Sequence, residues 1–353
     1  MIDCYFSFKA IKFADFFYLN MPKELEKMYA VITAVGGYLP PNKRTNQDLE
    51  QVTETSDEWI TKRTGIKERR ILSENSATSD MAIKAIEALV EKYKKDIHSI
   101  DALIVATSTP DMPMPSTANI ICEKLGIQTH LAFDMNAACS GFLYALSTGS
   151  SLVESGRFKN VVVIGADNIS TYVNLYDRST NILFGDGAGV VWLEPSPELG
   201  LIDSLLYSNG TGREYLNIEG GGTQYPYSAD GYEAEKSYIK QDGKVVFKHA
   251  IEAMSKACLE VLEKNNLLVE NVHWLVPHQA DKRIIDAVGR EIGIDEEKTV
   301  VNIEKYGNTI AATIPLCLWE NASDMKKGEI ILLTAFGAGF SWGASLLRWG
   351  IEP

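Results

Sequence analysis

Runs of consecutive apolar residues alternate along this chain with stretches in which apolar residues recur at helical spacing. Residues 102–107 and 161–165 are nearly continuous apolar runs, which are typical of strands buried on both faces. Residues 79–93 and 140–156 carry the helical pattern instead. This alternation predicts an α/β fold in which mixed, mostly parallel sheets are sandwiched by helices.

The second half of the sequence repeats this plan. Its predicted elements are helices at 247–267, 280–292 and 309–319 and strands at 273–277, 299–302, 330–334 and 341–348. We therefore predict two similar βαβ-type halves, over residues 28–200 and 201–353. An internal duplication explains the repeated plan, although the residue identities themselves show almost no repeat.

Residues 1–27 differ from the rest of the chain. They are rich in aromatic residues, but charged residues such as Asp3, Lys9 and Asp15 interrupt every apolar stretch. This pattern excludes a signal peptide and a membrane span. We expect the segment to be a tail, or to lie upstream of the true start codon, and to be dispensable for folding and activity.

Charge and cysteine usage narrow the class of protein. A formal net charge of −13 argues against general binding of nucleic acid or of an anionic membrane surface. The 5 cysteines are widely spaced, odd in number and without a Cys-x-x-Cys pair. That pattern indicates a reducing compartment, and so a cytoplasmic protein, rather than a disulfide framework or a zinc site.

Cys139 lies where a short strand at residues 131–134 passes into the helix that begins near Ser140. The free amides and positive dipole of a helix start favour a thiolate, so we expect a lowered thiol pKa at this position. A sulfur placed there can attack a thioester. The alternative is a small buried cysteine with no chemical role.

Two polar residues follow strands of the second half. His278 comes directly after an apolar strand, and Asn308 lies between a predicted strand and a predicted helix. Sites in open α/β sheets form outside the carboxyl ends of strands, so both side chains are candidates to meet Cys139. An activated cysteine needs a base, and His278 is the candidate. Taken alone, each is better explained as an ordinary turn residue.

Seven ordered segments between residues 28 and 349 identify a family. The chain resembles bacterial β-ketoacyl-acyl-carrier-protein synthase III, a condensing enzyme of the thiolase fold. The matching segments are residues 55–60, 63–66, 137–142, 184–189, 276–280, 306–309 and 335–343. The resemblance implies a thiolase-like fold with Cys139 as the nucleophile.

The resemblance also implies a reaction in two steps. An acyl group passes from coenzyme A to Cys139, with the backbone amides of Cys139 and Ala338 receiving the oxyanion. Malonyl-acyl-carrier protein then decarboxylates, and its carbanion attacks the acyl-cysteine while His278 and Asn308 donate hydrogen bonds to the thioester oxygen. Related chain-elongating synthases use two histidines, so Asn308 implies initiation from an acyl-CoA primer. Acyl-CoA is then a substrate, and no cofactor or metal is bound permanently.

Further positions are implied residue by residue. The family contacts implied for coenzyme A and the acyl chain fall on Trp59, Arg63, Arg178, Gly243, Asp281 and Phe336. Met114 corresponds to a position that reaches across a homodimer to the primer pocket of the partner. Docking of the carrier protein is expected on Lys248, Lys282, Arg283 and Arg290. Asp281 and Met114 depart from the residues common in the family, which are asparagine and phenylalanine.

Two other functions remain open at this point. A starter ketosynthase of a polyketide or aryl-polyene pathway would use the same chemistry and the same motifs. A non-catalytic partner subunit is the third hypothesis, although such subunits usually lack the cysteine that this chain retains at position 139.

Overall fold

The computed structural model describes residues 27–352, so all but one residue of the predicted N-terminal extension lie outside the described residues. The strands are β1 (Tyr29–Tyr38), β2 (Lys43–Thr45), β3 (Glu68–Arg70), β4 (Ala102–Ala106), β5 (Leu131–Met135), β6 (Val161–Asp167), β7 (Gly187–Ser196), β8 (Gly200–Ser208), β9 (Leu216–Asn217), β10 (Lys240–Gln241), β11 (Trp274–Pro277), β12 (Ile330–Gly337) and β13 (Ser341–Arg348). The α-helices are α1 (Asn46–Glu50), α2 (Asp57–Thr64), α3 (Thr78–Tyr93), α4 (Thr117–Leu125), α5 (Gly141–Glu154), α6 (Gly243–Lys264), α7 (Lys282–Ile292), α8 (Ile303–Tyr306) and α9 (Thr313–Glu320).

The first main sheet has the strand order β1-β7-β6-β4-β5. Alternate residues of β4 point to opposite faces, as the pleat of a strand requires. Leu103 and Val105 pack with the apolar side of α3, whereas Ile104 packs with α5. Both faces of the sheet are therefore covered by helices, which explains why β4 and β6 are buried along their whole length.

The second main sheet has the strand order β11-β12-β13-β8. Helix α6 covers its outer face, where Val261 packs with Leu332 and Leu346. Its inner face shares a core with the first sheet, and Phe142 of α5 and Leu318 of α9 belong to that core. Helices α5 and α9 thus lie between the two sheets. Among residues 27–352, no helix is both long and apolar enough to cross a membrane.

Two details of the predicted sheets are wrong. The sheets are mixed, but β7 pairs antiparallel with both of its neighbours, and so does β13, so parallel pairs are not the majority. The turn between β12 and β13 is too short for the crossover that a parallel neighbour requires, and no α-helix lies between β6 and β7. The strand predicted at residues 299–302 is a single bridge between Leu275 and Thr299.

The division into halves at residues 28–200 and 201–353 remains a proposal. The first main sheet draws its strands from Tyr29 to Ser196, and the second draws its strands from Gly200 to Arg348. The shared core of the two sheets brings the ends of β5 and β6 close to those of β11 and β12.

Candidate active site

Cys139 lies in a tight turn between β5 and α5. The turn is made possible by Ala138, which adopts φ of +47°, and by Asn136, whose side-chain oxygen accepts a hydrogen bond from the Ala138 amide at 3.2 Å. Ser140 follows, and its hydroxyl lies 2.7 Å from that of Ser341 on β13. The second sheet therefore holds the first turn of α5, and with it the thiol, in a fixed position.

The end of β12 closely approaches residues 136–140, the turn that carries the candidate nucleophile Cys139 and is here called the nucleophile turn. A Cβ atom at Gly337 would lie 2.7 Å from the Cys139 amide nitrogen, so the position requires glycine. The amides of Cys139 and Ala338 are thereby brought to the same cavity, and neither donates a hydrogen bond to another residue within 27–352. Two free backbone amides beside a nucleophile are the usual composition of an oxyanion hole.

The predicted lowering of the Cys139 pKa is wrong. The side chain is 6% exposed, and burial, with a further contribution from the charge of Asp167, raises the thiol pKa to about 12. Desolvation of the thiolate outweighs the helix start, whose benefit is confined to the first turn. Burial therefore favours the neutral thiol at Cys139.

His278 follows β11 directly and is 2% exposed. Its Nδ1 atom lies 2.7 Å from the hydroxyl of Thr313, at the start of α9. Its Nε2 atom is buried and has no hydrogen-bond partner among the described residues. Burial lowers the His278 pKa to about 3, so the ring is neutral and a weak base. A neutral imidazole with a free Nε2 is suited to donating a hydrogen bond to a ligand.

Asn308 lies in the loop between α8 and α9. Its backbone amide donates to Leu183 at 2.8 Å, and its side-chain Oδ1 accepts from the Ile310 amide at 2.9 Å. Because that amide can only donate, the orientation of the Asn308 side chain is settled. The Nδ2 group is the end of the side chain left for a ligand.

Cys139, His278 and Asn308 line one cavity of about 1650 Å³. This volume exceeds the range of roughly 300–1,000 Å³ that is usual for small-molecule sites, and it suits a long substrate. Other residues of the prediction also line it, namely Trp59, Arg63, Arg178, Gly243, Asp281, Arg283, Phe336 and Ala338. Among residues 27–352, no group of three or more His, Cys, Asp and Glu side chains is placed to hold a metal ion.

The outer part of the cavity has an aromatic platform. Trp59, on α2, has the guanidinium of Arg63 at 5.3 Å from its ring and that of Arg178 at 4.9 Å. Arg178 is also tied to the Glu54 carbonyl oxygen at 2.9 Å. A tryptophan beside two guanidinium groups offers stacking for a planar base and positive charge for phosphates.

Asp281 and Arg283 form a closed pair at the start of α7. Asp281 accepts from the Arg283 backbone amide, from Nε at 3.0 Å and from Nη2 at 2.6 Å. Arg283 also lies over the ring of Phe247, at 5.1 Å from its centroid. The acidic residue at position 281 therefore holds an arginine at the wall of the cavity, and sequence reasoning did not foresee this link.

The other predicted residues lie outside this cavity. Met114 is 84% exposed and is absent from the cavity wall, although its neighbour Met112 lines it. Lys248 and Arg290 are exposed on α6 and α7, which pack side by side. Lys282 pairs with Asp286 at 2.7 Å.

Two contributors were missed by sequence reasoning. Thr313 contacts His278, and Asp167 is fully buried beside the site, where it accepts from Thr107, Ser108, Thr109 and the Ala311 amide. Burial raises the Asp167 pKa to about 7 in spite of these hydrogen bonds. A threonine inside an apolar helix start and an aspartate at a strand end gave no distinguishing signal.

The cavity and the nucleophile turn define a class, the condensing enzymes of the thiolase fold. Models of 3-oxoacyl-[acyl-carrier-protein] synthase III match residues 133–210, and models of its C-terminal part match residues 262–349. A β-ketoacyl-[acyl-carrier-protein] synthase III of Bacteroides thetaiotaomicron is 46% identical over 331 residues, which cover 93% of this chain and 99% of that protein. The chain belongs to the β-ketoacyl-acyl-carrier-protein synthase III family, and it is a condensing acyltransferase.

Solved structures agree with this assignment. The 3-oxoacyl-[acyl-carrier-protein] synthase III of Aquifex aeolicus superposes with a TM-score of 0.82 at 42% identity, over 91% of this chain and 100% of that chain. The priming β-ketosynthase of the R1128 polyketide pathway gives a TM-score of 0.87 at 31% identity, over 94% and 99% of the two chains. The predicted family, fold class and condensing function are thereby confirmed.

Proposed function

We propose that this enzyme initiates type II fatty-acid synthesis by condensing a short acyl-CoA with malonyl-acyl-carrier protein, giving 3-oxoacyl-acyl-carrier protein, CO2 and coenzyme A. One observation carries the proposal most directly. Cys139, His278 and Asn308 line one cavity, where the Nε2 atom of His278 is buried and has no partner among residues 27–352. A nucleophile beside unused hydrogen-bond donors is the arrangement that acyl transfer followed by enolate formation requires.

In the first half-reaction, the sulfur of Cys139 attacks the thioester carbon of the acyl-CoA. The oxyanion that forms is stabilised by the free amides of Cys139 and Ala338. Collapse of this intermediate breaks the bond to the coenzyme A sulfur, and the thiol proton of Cys139 ends on the departing coenzyme A thiol. Because burial raises the pKa of the Cys139 thiol, we expect acylation to begin from the neutral thiol.

In the second half-reaction, malonyl-acyl-carrier protein loses CO2, and the electron pair of the broken carbon–carbon bond moves to the thioester as an enolate. His278 Nε2 and Asn308 Nδ2 donate hydrogen bonds to the enolate oxygen. The carbanion carbon attacks the acyl group on Cys139, and the thiolate leaves. A neutral histidine and an asparagine provide this stabilisation without a buried cation.

Coenzyme A binds along the open part of the cavity. Trp59 and Arg178 receive the adenine, and Arg63 lies beside them. Gly243 and the Asp281–Arg283 pair flank the pantetheine arm, and Phe336 packs near the acyl group. The space over Gly243 supports this path, because a Cβ atom there would meet only Gln241, at 3.9 Å. Coenzyme A enters as substrate, and the enzyme holds no permanent cofactor.

The enzyme acts as a homodimer. Two features support this proposal. Strand β5 is the edge of its sheet within the described residues, so its outer hydrogen-bonding groups are available to a second copy. Met114 is 84% exposed and stands beside the cavity wall formed by Met112, as expected for a residue that enters the cavity of the partner.

The carrier protein docks on the face formed by α6 and α7. Lys248 and Arg290 are exposed there and form no ion pair within residues 27–352, whereas Lys282 pairs with Asp286 and Arg283 with Asp281. Lys248 and Arg290 are therefore the cations best able to meet an acidic carrier protein. A local basic face is needed because the chain itself carries a net charge of −13.

The compartment is the cytoplasm. Cys122, Cys139, Cys258 and Cys317 are buried and form no disulfide within the part of the chain that the structure describes, which supports a reducing environment. Nucleic acid and membranes are not partners in this proposal.

Residues 1–27 play no part in the reaction, and a chain that begins at Met28 should retain full activity.

A second candidate function is the priming step of a polyketide or aryl-polyene pathway. The likeness to the R1128 priming β-ketosynthase favours it. A non-catalytic partner subunit is disfavoured, because all three reactive residues are present and line one cavity.

A panel of acyl-CoA primers with malonyl-acyl-carrier protein tests these functions. Mass spectrometry of the Cys139 peptide and of the product reports which primers are used. Short-chain primers, starting with acetyl-CoA, should acylate Cys139 and yield 3-oxoacyl-acyl-carrier protein. Selective use of a specialised starter would favour the second candidate, and absence of any adduct or product would contradict both.

A further inference from the structure

The hydroxyl group of Thr313 contacts the imidazole of His278 on the side away from the cavity. The Thr313 Oγ1 atom lies 2.7 Å from His278 Nδ1 and 3.2 Å from the Ile310 carbonyl oxygen. Both side chains are 2% exposed, so water does not compete for these contacts. The hydrogen bond with this hydroxyl therefore determines whether Nδ1 carries a proton.

A threonine hydroxyl has one hydrogen, and here it has two acceptors within reach. If that hydrogen points to Ile310, Nδ1 must carry a proton and Nε2 presents only a lone pair to the cavity. If it points to Nδ1, then Nε2 carries the proton and becomes a donor. The hydroxyl lies closer to Nδ1, at 2.7 Å, than to the Ile310 carbonyl oxygen, at 3.2 Å, so its hydrogen is assigned to Nδ1.

The turn that carries Thr313 is fixed from the other side of the molecule. Asp167 accepts from the Ala311 amide at 3.0 Å, and a Cβ atom at Gly165 would lie 2.2 Å from the Ala311 carbonyl oxygen. The end of β6 and this turn are thus in direct contact. The hydroxyl of Thr313 has little freedom to move away from His278.

We propose that Thr313 is a positioning residue, whose hydroxyl donates to His278 Nδ1 and so keeps the imidazole in the tautomer with its proton on Nε2. The inference rests on the proposed role of His278 as a donor to the enolate, because that role requires a proton on Nε2. Burial lowers the His278 pKa to about 3, so the ring stays neutral and the choice of tautomer persists across the working pH range.

The proposal separates the two half-reactions. Acylation of Cys139 uses the backbone amides of Cys139 and Ala338, and it does not depend on the tautomer of His278. Decarboxylation needs the Nε2 proton. Replacing the hydroxyl by a methyl group removes the donor to Nδ1, and with it the interaction that keeps the proton on Nε2.

The direct test is nitrogen NMR of enzyme labelled with 15N-histidine. The chain has 5 histidines, and a His278→Ala spectrum assigns the His278 signals by difference. The wild type should show a protonated Nε2 and an unprotonated Nδ1 between pH 6 and 8. Thr313→Val should move protons towards Nδ1, and Thr313→Ser, which keeps the hydroxyl, should resemble the wild type. A protonated Nδ1 in the wild type, or a Thr313→Val spectrum identical to it, would overturn the proposal.

A second test measures the kinetics of the same variants. In Thr313→Val, kcat for decarboxylation should fall on the order of tenfold, while KM for malonyl-acyl-carrier protein and the acylation rate stay nearly constant. Thr313→Ser should restore kcat, and equal losses in both half-reactions would contradict a specific effect. Should Thr313→Val fail to fold, Thr313→Ala provides the same loss of the hydroxyl with less bulk. The NMR result does not depend on turnover, so a failure of this inference is distinguishable from a failure of the proposed reaction.

Discussion

Asp167, at the end of β6, accepts a hydrogen bond from the backbone amide of Ala311 at 3.0 Å. This bond joins the first sheet to the turn between Asn308 and Thr313. The positions of Asn308 and Thr313, on either side of Ala311, thus depend on a carboxyl group at the end of β6. Cys139 is close enough for the charge of Asp167 to raise its pKa.

Asp167 should make stability depend on pH. Burial raises its pKa from 3.8 to about 7, so the folded state retains a proton that the unfolded state has lost. The contribution of Asp167 to the free energy of unfolding is fully present below about pH 4. It decreases as the pH rises to about 7, by up to about 4 kcal/mol. The melting temperature of Asp167→Asn relative to wild type should therefore be higher at pH 7.5 than at pH 4.5. A difference that does not change with pH would contradict this account.

Gly337→Ala should damage the nucleophile turn. The new Cβ atom would lie 2.7 Å from the Cys139 amide, so β12 and the turn must separate. We expect a loss of stability of about 1–3 kcal/mol and a larger loss of acylation, since an oxyanion donor moves. Thermal unfolding and intact-mass detection of acyl-Cys139 measure the two effects. Gly210→Ala is the matched control, because nothing lies within 4 Å of a Cβ atom there; equal effects in both variants would contradict the role of Gly337.

Much of the active site follows from the sequence because strand ends in an α/β fold meet at one edge. Cys139 follows β5 and His278 follows β11, and the structure places both at one cavity with Asn308, which follows the short helix α8 rather than the predicted strand. The pKa of Cys139 was predicted in the wrong direction, because the depth of burial is a property of the packed molecule. Thr313 carries no sequence signal, since its role comes from the docking of α9 against β11.

The sheet pairing was harder to predict than the elements themselves. The apolar runs located β4, β6 and β12, but a buried strand looks the same in sequence whether its neighbours are parallel or antiparallel. The distinction lies in the connections. The segment between β6 and β7 contains a single 3-10 helix at Ile169–Tyr172 and no α-helix, and β7 pairs antiparallel with β6.

Trp59→Ala should weaken the use of acyl-CoA. The ring stacks with Arg178 and Arg63 and would receive the adenine, so its loss removes about 1–2 kcal/mol of binding. We expect KM for acetyl-CoA to rise on the order of tenfold, with little change in decarboxylation of malonyl-acyl-carrier protein. Steady-state kinetics with each substrate varied in turn gives both values. A larger effect on the carrier-protein substrate would contradict the proposed contact between Trp59 and coenzyme A.

Charge reversal on α6 and α7 should affect only the carrier protein. Lys248→Glu with Arg290→Glu should raise KM for malonyl-acyl-carrier protein, because the basic face that orients it is lost. Acyl transfer from coenzyme A should be nearly unchanged, and the wild-type KM should rise with salt. Lys159→Glu, an exposed change before β6, is the control. Equal losses in both half-reactions, or none in either, would place the docking face elsewhere.

We propose that Cys139 accepts the acyl group and that His278 and Asn308 act only in decarboxylation and condensation. The most direct test is a single-turnover experiment on His278→Ala and Asn308→Ala, followed by intact-mass spectrometry and by release of labelled CO2. Both variants should form the acyl adduct with acetyl-CoA at a rate close to wild type, and Cys139→Ala should form none. Both should lose malonyl decarboxylation by roughly 100-fold or more, because the charge that they stabilise arises only in that step. Condensation near the wild-type rate in either variant, or an adduct that persists in Cys139→Ala, would contradict the account.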